Sequence, residues 1–461
     1  MRLTILGAGP GGYVAALKAA QLGARVTVIE RDEVGGTCLN QGCIPTKALI
    51  ATTEMLHKAR NLEEYGLELS GSVVPRLSRI MERKSKVVST QVKGIRALFK
   101  SWGVTLIEGT GKFLGTGKIE VQKKDGTREM VEADKVIIAT GSKPAQISLF
   151  PFDGERILSS DDALALTEIP RSMVIIGAGV IGCEFACILS ALGTEVTLVE
   201  MMPRAISTED PEISEVLERE LKKRKIRLVM NTRVARVEKE NDGVHIFLSN
   251  SRELIADKVL VSTGRSLNSE GIGLERVGIT RGPKGEIPTN ERMETAVGGI
   301  YAIGDVTGGL LLAHVASKEG IVAAGNACGR ESKVDYSVIP AGIFTSPEIG
   351  SVGLRSHQAE EQGIKVNIGR FPFRGLGKAH AMGEIAGMVK IIADAATDRV
   401  LGVHIIGAHA ADLVHEGALA MKAGLTAKEV ADMIHSHPTL AEGIMEAAED
   451  VHGEAIHAPR K

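Results

Sequence analysis

Two of the five cysteines in this 461-residue chain, Cys38 and Cys43, share one short stretch, GGTCLNQGCIPTKALI (35–50). Two thiols can close a disulfide only if their Cα atoms come within about 4.4–6.8 Å. Five residues of regular helix rise about 7.5 Å, so the pair cannot both sit in ideal helix and be bonded. Gly42 and a helix start before Pro45 permit the needed distortion. A cysteine in the first turn of a helix has a lowered thiol pKa. A short-looped, somewhat strained bridge is reducible, which is the profile of a catalytic dithiol. Two blander readings remain: buried free thiols, or half a metal site. No second cysteine pair exists to complete a zinc site, so no metal is expected. Cys183 and Cys187 lie on an apolar helical run and read as core, and Cys328 is isolated.

The elements around the pair come from a fold written twice. Residues 3–31 and 173–201 each read as an apolar strand, G-x-G-x-x-G, a helical run and a second strand. The glycines are Gly7, Gly9 and Gly12 in the first copy and Gly177, Gly179 and Gly182 in the second. Each copy ends on an acid, Glu30 or Glu200, placed 23 residues after its first glycine. Glycines allow a tight turn and close approach to a pyrophosphate, and the helix N-terminus offers free N–H groups. The acid accepts from a ribose hydroxyl. Two such units imply two dinucleotides, FAD and NAD(P). A carboxylate at Glu200, followed by Met201 and Met202 in place of arginines, favours NAD over NADP. KVIIATG (135–141) and KVLVSTG (258–264) extend the repeat as late strands of the two domains. The interval from first glycine to this threonine is 133 residues in the first copy and 86 in the second. The cysteines fall in the surplus, directly after Glu30.

Composition narrows the class. Asp+Glu 57 against Lys+Arg 55 gives a net charge of −2, which offers no basic face for nucleic acid and no polybasic membrane anchor. The N-terminal apolar run is too short for a signal-peptide core, and Met173–Gly193, uncharged apart from Glu184, reads as strand, loop and helix; the expected location is cytoplasmic. Thiol exchange also needs a base near neutral pH, for which histidine suits. The stretch HSHPTLAE (435–442) holds two, of which His435 reads as structural. Thr439 to Glu442 within it also reads as a capping box opening the last helix.

The motifs GAGPGGYVAA, GGTCLNQGCIPTK, ATGS, GAGVIGCE, TGR, YAIGDV, LAH and HSHPTLAE span nearly the whole chain. Together they resemble the pyridine nucleotide–disulfide oxidoreductases, and within that family the branch that oxidises dihydrolipoamide. The resemblance implies an α/β fold with two Rossmann-like dinucleotide-binding domains and a C-terminal α+β dimerisation domain. The expected spans are 1–144 for FAD, 145–266 for NAD, 267–335 for a central segment completing the FAD site, and 336–461 for the interface domain. It implies a homodimer that reoxidises lipoylated proteins of 2-oxoacid dehydrogenase or glycine-cleavage complexes, through FAD, with NAD+ as acceptor.

Site roles follow from the same resemblance. Cys38 exchanges with dihydrolipoamide and Cys43 faces the flavin. Lys47 approaches the flavin and pairs with Glu184. His437 is the base and Glu442 orients it. Gly36, Thr37, Gly111, Thr140, Gly141 and Ser142 contact FAD, with Asp305 on its ribitol and Leu311, Ala313 and His314 along its ring. Val234 and Gly264 contact NAD. Two positions depart from the family pattern, Gln41 and Ser346, and neither is placed in the chemistry. Glutathione-type relatives would want arginines near Glu200, where the nearest is Arg204, four residues on, and mercuric relatives a cysteine pair after Cys328, which the chain lacks.

Overall fold

An apolar strand that runs into a glycine turn must bury both faces, and each copy does so at the centre of a parallel sheet. The structure, a computed structural model, describes residues 1–459. It forms two compact units. Met1–Leu49, Ser78–Gln146 and Gly264–Asp335 make the first; Ile50–Leu77, Ile147–Thr263 and the chain from Tyr336 onward make the second.

In the first unit, strand Arg2–Leu6 lies between Arg25–Glu30 and Lys135–Ile138. Thr105–Glu108 and Ile300–Ala302 complete the sheet, and all pairings are parallel. Helix Pro10–Gln21 leaves the glycine turn and packs against helix Ala313–Ala327. Their backbones meet at two glycines: a Cβ on Gly320 would stand 2.4 Å from the Gly11 carbonyl oxygen. An antiparallel meander, Thr110–Gly115, Lys118–Gln122 and Arg128–Glu132, precedes Lys135–Ile138. Ile300–Ala302 on the sheet edge delivers Asp305 to the C-terminal ends of the strands, where α/β sheets bind ligands.

The second unit holds the second copy. Its sheet runs Arg227–Val229, Glu195–Val199, Ser172–Ile176, Lys258–Val261, Ile157–Leu158, again all parallel. The meander recurs as Val234–Lys239, Val244–Leu248 and Glu253–Ala256, directly before Lys258–Val261. The duplication therefore extends past the βαβ unit and the late strand that the sequence reveals. Met173–Gly193 is a strand, a turn and helix Val180–Leu192, and no helix among the described residues is long and apolar enough to cross a membrane.

The rest of the unit is an antiparallel sheet ordered Ala341–Ile343, Glu348–Gly353, Val400–Gly407, Met388–Asp394, Val366–Pro372. Helices Ala410–Ala423 and Glu442–Asp450 cover it at glycine positions, since a Cβ on Gly350 or Gly369 would meet a helix carbonyl at 2.1 or 1.9 Å. Together with the nucleotide units this is the α/β plus α+β architecture expected. Residues 50–77, inside the 1–144 span, group with the second unit. Arg60 Nη1 donates to Ala191 O at 2.7 Å there, and Tyr65 Oη to Met382 O at 2.7 Å.

One buried cation ties the second nucleotide sheet to the antiparallel one. Lys390 is fully buried and donates to Asp210 Oδ1 at 2.8 Å, Glu212 Oε1 at 2.6 Å and Ser356 Oγ at 3.1 Å. Asp210 also caps helix Pro211–Lys223, and its other oxygen accepts from Ser356 N and Oγ. Burial opposes ionisation of Asp210, but Lys390 and Ser356 outweigh it and hold the carboxyl at about 2. A depressed carboxyl stabilises the fold above its ordinary value near 3.8 and loses that contribution as pH falls through about 2. The contribution is about 2 kcal/mol. Lys390→Met, which strands the carboxylates, is expected to cost about 3–5 kcal/mol in urea unfolding at neutral pH. It should also flatten the loss of stability between pH 5 and 2.

Candidate active site

Each glycine turn is shaped by contacts that admit no side chain. Gly7 and Gly177 have φ of 101° and 102°, and a Cβ on Gly12 or Gly182 would stand 2.0 Å from the carbonyl of that first glycine. The helices that follow, Pro10–Gln21 and Val180–Leu192, have no side-chain N-cap and no acid in their first turn. Their leading N–H groups are left for a ligand. A Cβ on Gly9 would meet nothing nearer than Gly36 Cα at 4.0 Å, and one on Gly179 nothing within 4 Å. Thr140 Oγ1, beside the first turn, is buried and has no hydrogen-bond partner. These features fit a pyrophosphate at each turn.

The two acids are bound identically. Glu30 accepts from Ala8 N at 2.6 Å and Asp32 N at 2.8 Å; Glu200 accepts from Ala178 N at 2.7 Å and Met202 N at 2.8 Å. Burial raises the Glu30 carboxyl above its ordinary range, against the pull of these two N–H groups. Each acid thus stitches its glycine turn to its second strand, and a ribose hydroxyl would add a further donor. Glu200→Ala is expected to raise KM for NADH by about tenfold with kcat little changed, checked by steady-state kinetics.

The cysteines sit at a helix break. Gly35, with φ of 90°, opens helix Gly36–Gln41, which carries Cys38. Gly42, at φ −151° and ψ −113°, interrupts it, and Cys43 begins helix Cys43–Arg60. Asn40 Nδ2 ties the first helix to Val34 O and Gly36 O, both at 3.0 Å, and Thr46 Oγ1 donates to Gly42 O at 2.6 Å. The structure holds the pair as two thiols hydrogen-bonded to each other. The Cys38 thiol is pushed far above its ordinary range, first by that bond and then by burial. The Cys43 N–H and the Lys47 ammonium oppose the shift. The cysteine that opens a helix at the break is Cys43, and the raised thiol is Cys38 in the helix before it. Lys47 is half-buried, not a solvated surface lysine.

Around the ends of the first sheet, Ser142 gathers several partners. Its hydroxyl makes a very short bond to Asp305 Oδ2 and accepts from Arg265 Nε at 2.6 Å. Its carbonyl accepts from Arg265 Nη2 at 2.9 Å and Thr37 Oγ1 at 3.4 Å. Asp305 is therefore held by Ser142 and, at 3.8 Å, by Arg265. Glu319, buried in helix Ala313–Ala327, accepts from Gly304 N at 2.6 Å and fixes the turn before Asp305. Sequence reasoning missed Arg265 and Glu319; the TGR motif was the only signal for the first. Ala313 and His314 open that helix, and Leu311 is exposed just before it. Gly111 lies against Leu6, where a Cβ would approach its side chain to 2.8 Å.

In the second unit, Glu184 is buried and accepts from Phe344 N at 2.9 Å. Val234 opens the meander, and Gly264, at φ 137° and grouped with the first unit, follows Lys258–Val261. His437 is exposed, and its Nδ1 lies 2.8 Å from Glu442 Oε1. Glu442 Oε2 accepts from Thr439 N at 2.8 Å. Burial opposes ionisation of Glu442, but Thr439 N–H and His437 outweigh it and lower its pKa. Only half of the expected capping box forms, because Thr439 Oγ1 turns away to Ser436 O at 2.8 Å. The carboxylate is thus divided, one oxygen to the helix end and one to the imidazole. The His435 side chain is almost wholly buried and uses both ring nitrogens internally.

Comparison with known proteins fits this geometry. A family model described as pyridine nucleotide-disulphide oxidoreductase matches residues 1–320, and the dimerisation domain of the same description matches residues 339–448. The chain is 41% identical over 457 residues to a dihydrolipoyl dehydrogenase of Chlamydia muridarum, covering 99% of this chain and 97% of the relative. It is 43% identical over 469 residues to one of Bacillus subtilis, covering 99% and 98%. Among solved structures, LpdA from Mycobacterium tuberculosis superposes with a TM-score of 0.91 at 32% identity, covering 97% of this chain and 99% of that one.

Proposed function

Because the chain belongs to the pyridine nucleotide-disulphide oxidoreductase family, we propose that its dithiol, glycine turns and His437–Glu442 pair form one reaction system. The protein is a flavoprotein disulfide oxidoreductase with NAD-dependent dihydrolipoyl dehydrogenase activity, and FAD and NAD are its cofactors. The observation that carries this reading is the Cys38–Cys43 thiol pair at the Gly42 break, in the unit built on the first glycine turn.

The first turn, Glu30, Thr140, Ser142 and Asp305 would hold FAD; Gly177, Gly179, Gly182 and Glu200 would hold NAD. Bound FAD supplies two-electron transfer between the dithiol and NAD+. In the oxidised protein a dihydrolipoyl thiolate attacks Cys38 Sγ, the bond to Cys43 breaks, and Cys43 leaves as thiolate. The second lipoyl thiol then attacks the mixed disulfide, releases lipoamide and leaves Cys38 reduced. His437 takes the proton from the attacking thiol, and Glu442 steadies the ring through Nδ1. Lys47 places positive charge near the thiolates, and its attraction already favours the ionised form of Cys38.

Residues 1–144 and 267–335 serve FAD, 145–266 serves NAD, and 336–461 is the interface domain. The match to a dimerisation domain supports a homodimer, and in that homodimer His437 would serve the dithiol of the partner subunit. Lipoylated proteins of 2-oxoacid dehydrogenase or glycine-cleavage complexes are the expected substrates, in the cytoplasm. The test is dihydrolipoamide-dependent reduction of NAD+ by the FAD-loaded protein, repeated with NADP+. Turnover with NAD+ that disappears on alkylating the reduced thiols supports the reading. Absence of turnover in yellow, folded protein overturns it.

A further inference from the structure

The stretch Asp432–Pro438 carries the proposed base yet has neither helix nor strand of its own. Six of its seven residues are exposed, Ile434 at 96%. His435 is the exception, with its side chain 3% exposed. Its Nδ1 lies 2.9 Å from Met433 O, which can only accept, so Nδ1 donates. Its Nε2 lies 2.8 Å from Oε1 of Glu416, on helix Ala410–Ala423. Neither nitrogen is left to meet a thiol, so His435 is not itself the base.

The side following His437 is fastened separately. Thr439 Oγ1 donates to Ser436 O, Thr439 N donates to Glu442, and Leu440 is buried. On the preceding side only His435 turns inward. A buried imidazole with both nitrogens bonded, one of them to a partly exposed carboxylate, fixes one backbone position beneath an exposed loop, because a missing partner would leave a buried ring nitrogen unsatisfied.

We propose that His435 and Glu416 are a positioning pair, which anchors the loop two residues before His437 and so holds the His437 ring against Glu442. The inference rests on the reading of His437 as the base. It places a second carboxylate–imidazole couple in series with the first, one with its ring turned inward and structural, the other exposed and reactive. Displacing a reacting group by about 1 Å can cost about 100-fold in rate.

The test uses the FAD-loaded dimer and the rate of NAD+ reduction by dihydrolipoamide, normalised to the NADH–ferricyanide rate of the same preparation. His435→Ala and Glu416→Ala are expected to lower the normalised kcat by roughly 10- to 100-fold, with KM for dihydrolipoamide changed less than about twofold. Glu416→Gln, which keeps an acceptor oxygen, should recover most of that loss. Adding His435→Ala to His437→Gln should cost nothing further, since both act through one group. If His435→Ala fails to fold, the contrast between Glu416→Gln and Glu416→Ala carries the test. A slow His437→Gln beside unimpaired His435→Ala and Glu416→Ala overturns the positioning pair alone. So does a double variant that loses the product of the two single effects. His437→Gln at the parental rate overturns the base assignment and this proposal with it.

Discussion

Replacing Cys43 with serine is expected to lower dihydrolipoamide oxidation by roughly a thousandfold or more, and Cys38→Ser to do the same. The reason is stoichiometric. One sulfur of the bridge accepts the lipoyl thiolate and the other must leave, and a serine hydroxyl can do neither. A serine differs from cysteine by one atom, and Gly42 already supplies the helix break, so the fold should survive. Transfer from NADH to ferricyanide, which needs no thiol exchange, should stay within the parental order of magnitude. The two rates measured on one preparation check this. A Cys43→Ser protein that still oxidises dihydrolipoamide at a tenth of the parental rate would remove the dithiol from the mechanism.

His437→Gln is expected to lower the same rate by about 100- to 10,000-fold, the usual range for losing a general base. Glutamine keeps a hydrogen bond to Glu442 but cannot take a proton. Glu442→Gln should show a smaller loss, because the single amide oxygen can accept from Thr439 N or from His437 Nδ1–H, but not from both. Steady-state kinetics of the two variants order these effects. Equal losses would mean that the carboxylate does more than orient the ring.

The nucleotide turns were legible in the sequence because backbone geometry leaves them little freedom. Gly12 and Gly182 cannot carry a Cβ, and Glu30 and Glu200 sit where a carboxylate reaches two backbone N–H groups. The cysteine pair was legible from spacing and Gly42, but the direction of the Cys38 shift was not. It depends on the neighbouring thiol and on burial, which spacing does not report. The meanders at 110–132 and 234–256 were invisible as a repeat, since strands of this kind need only alternation and share almost no residues. Arg265 and Glu416 escaped for a different reason. Arg265 meets Ser142 across 123 positions and Glu416 meets His435 across 19, and neither pairing leaves a local pattern. Glu442 could be read as cap or as catalytic partner, and the structure divides it between both.

The carboxylates at the ends of the second strands have a consequence for how such chains drift. Each is already spoken for by the main chain before any nucleotide arrives, so selection for folding alone would retain it. A descendant that lost its dinucleotide could keep the full glycine-and-acid signature for a long time. The signature dates the ancestry of a domain more securely than it certifies a present occupant, and occupancy is better judged from groups such as Thr140, whose buried hydroxyl has no partner within the protein.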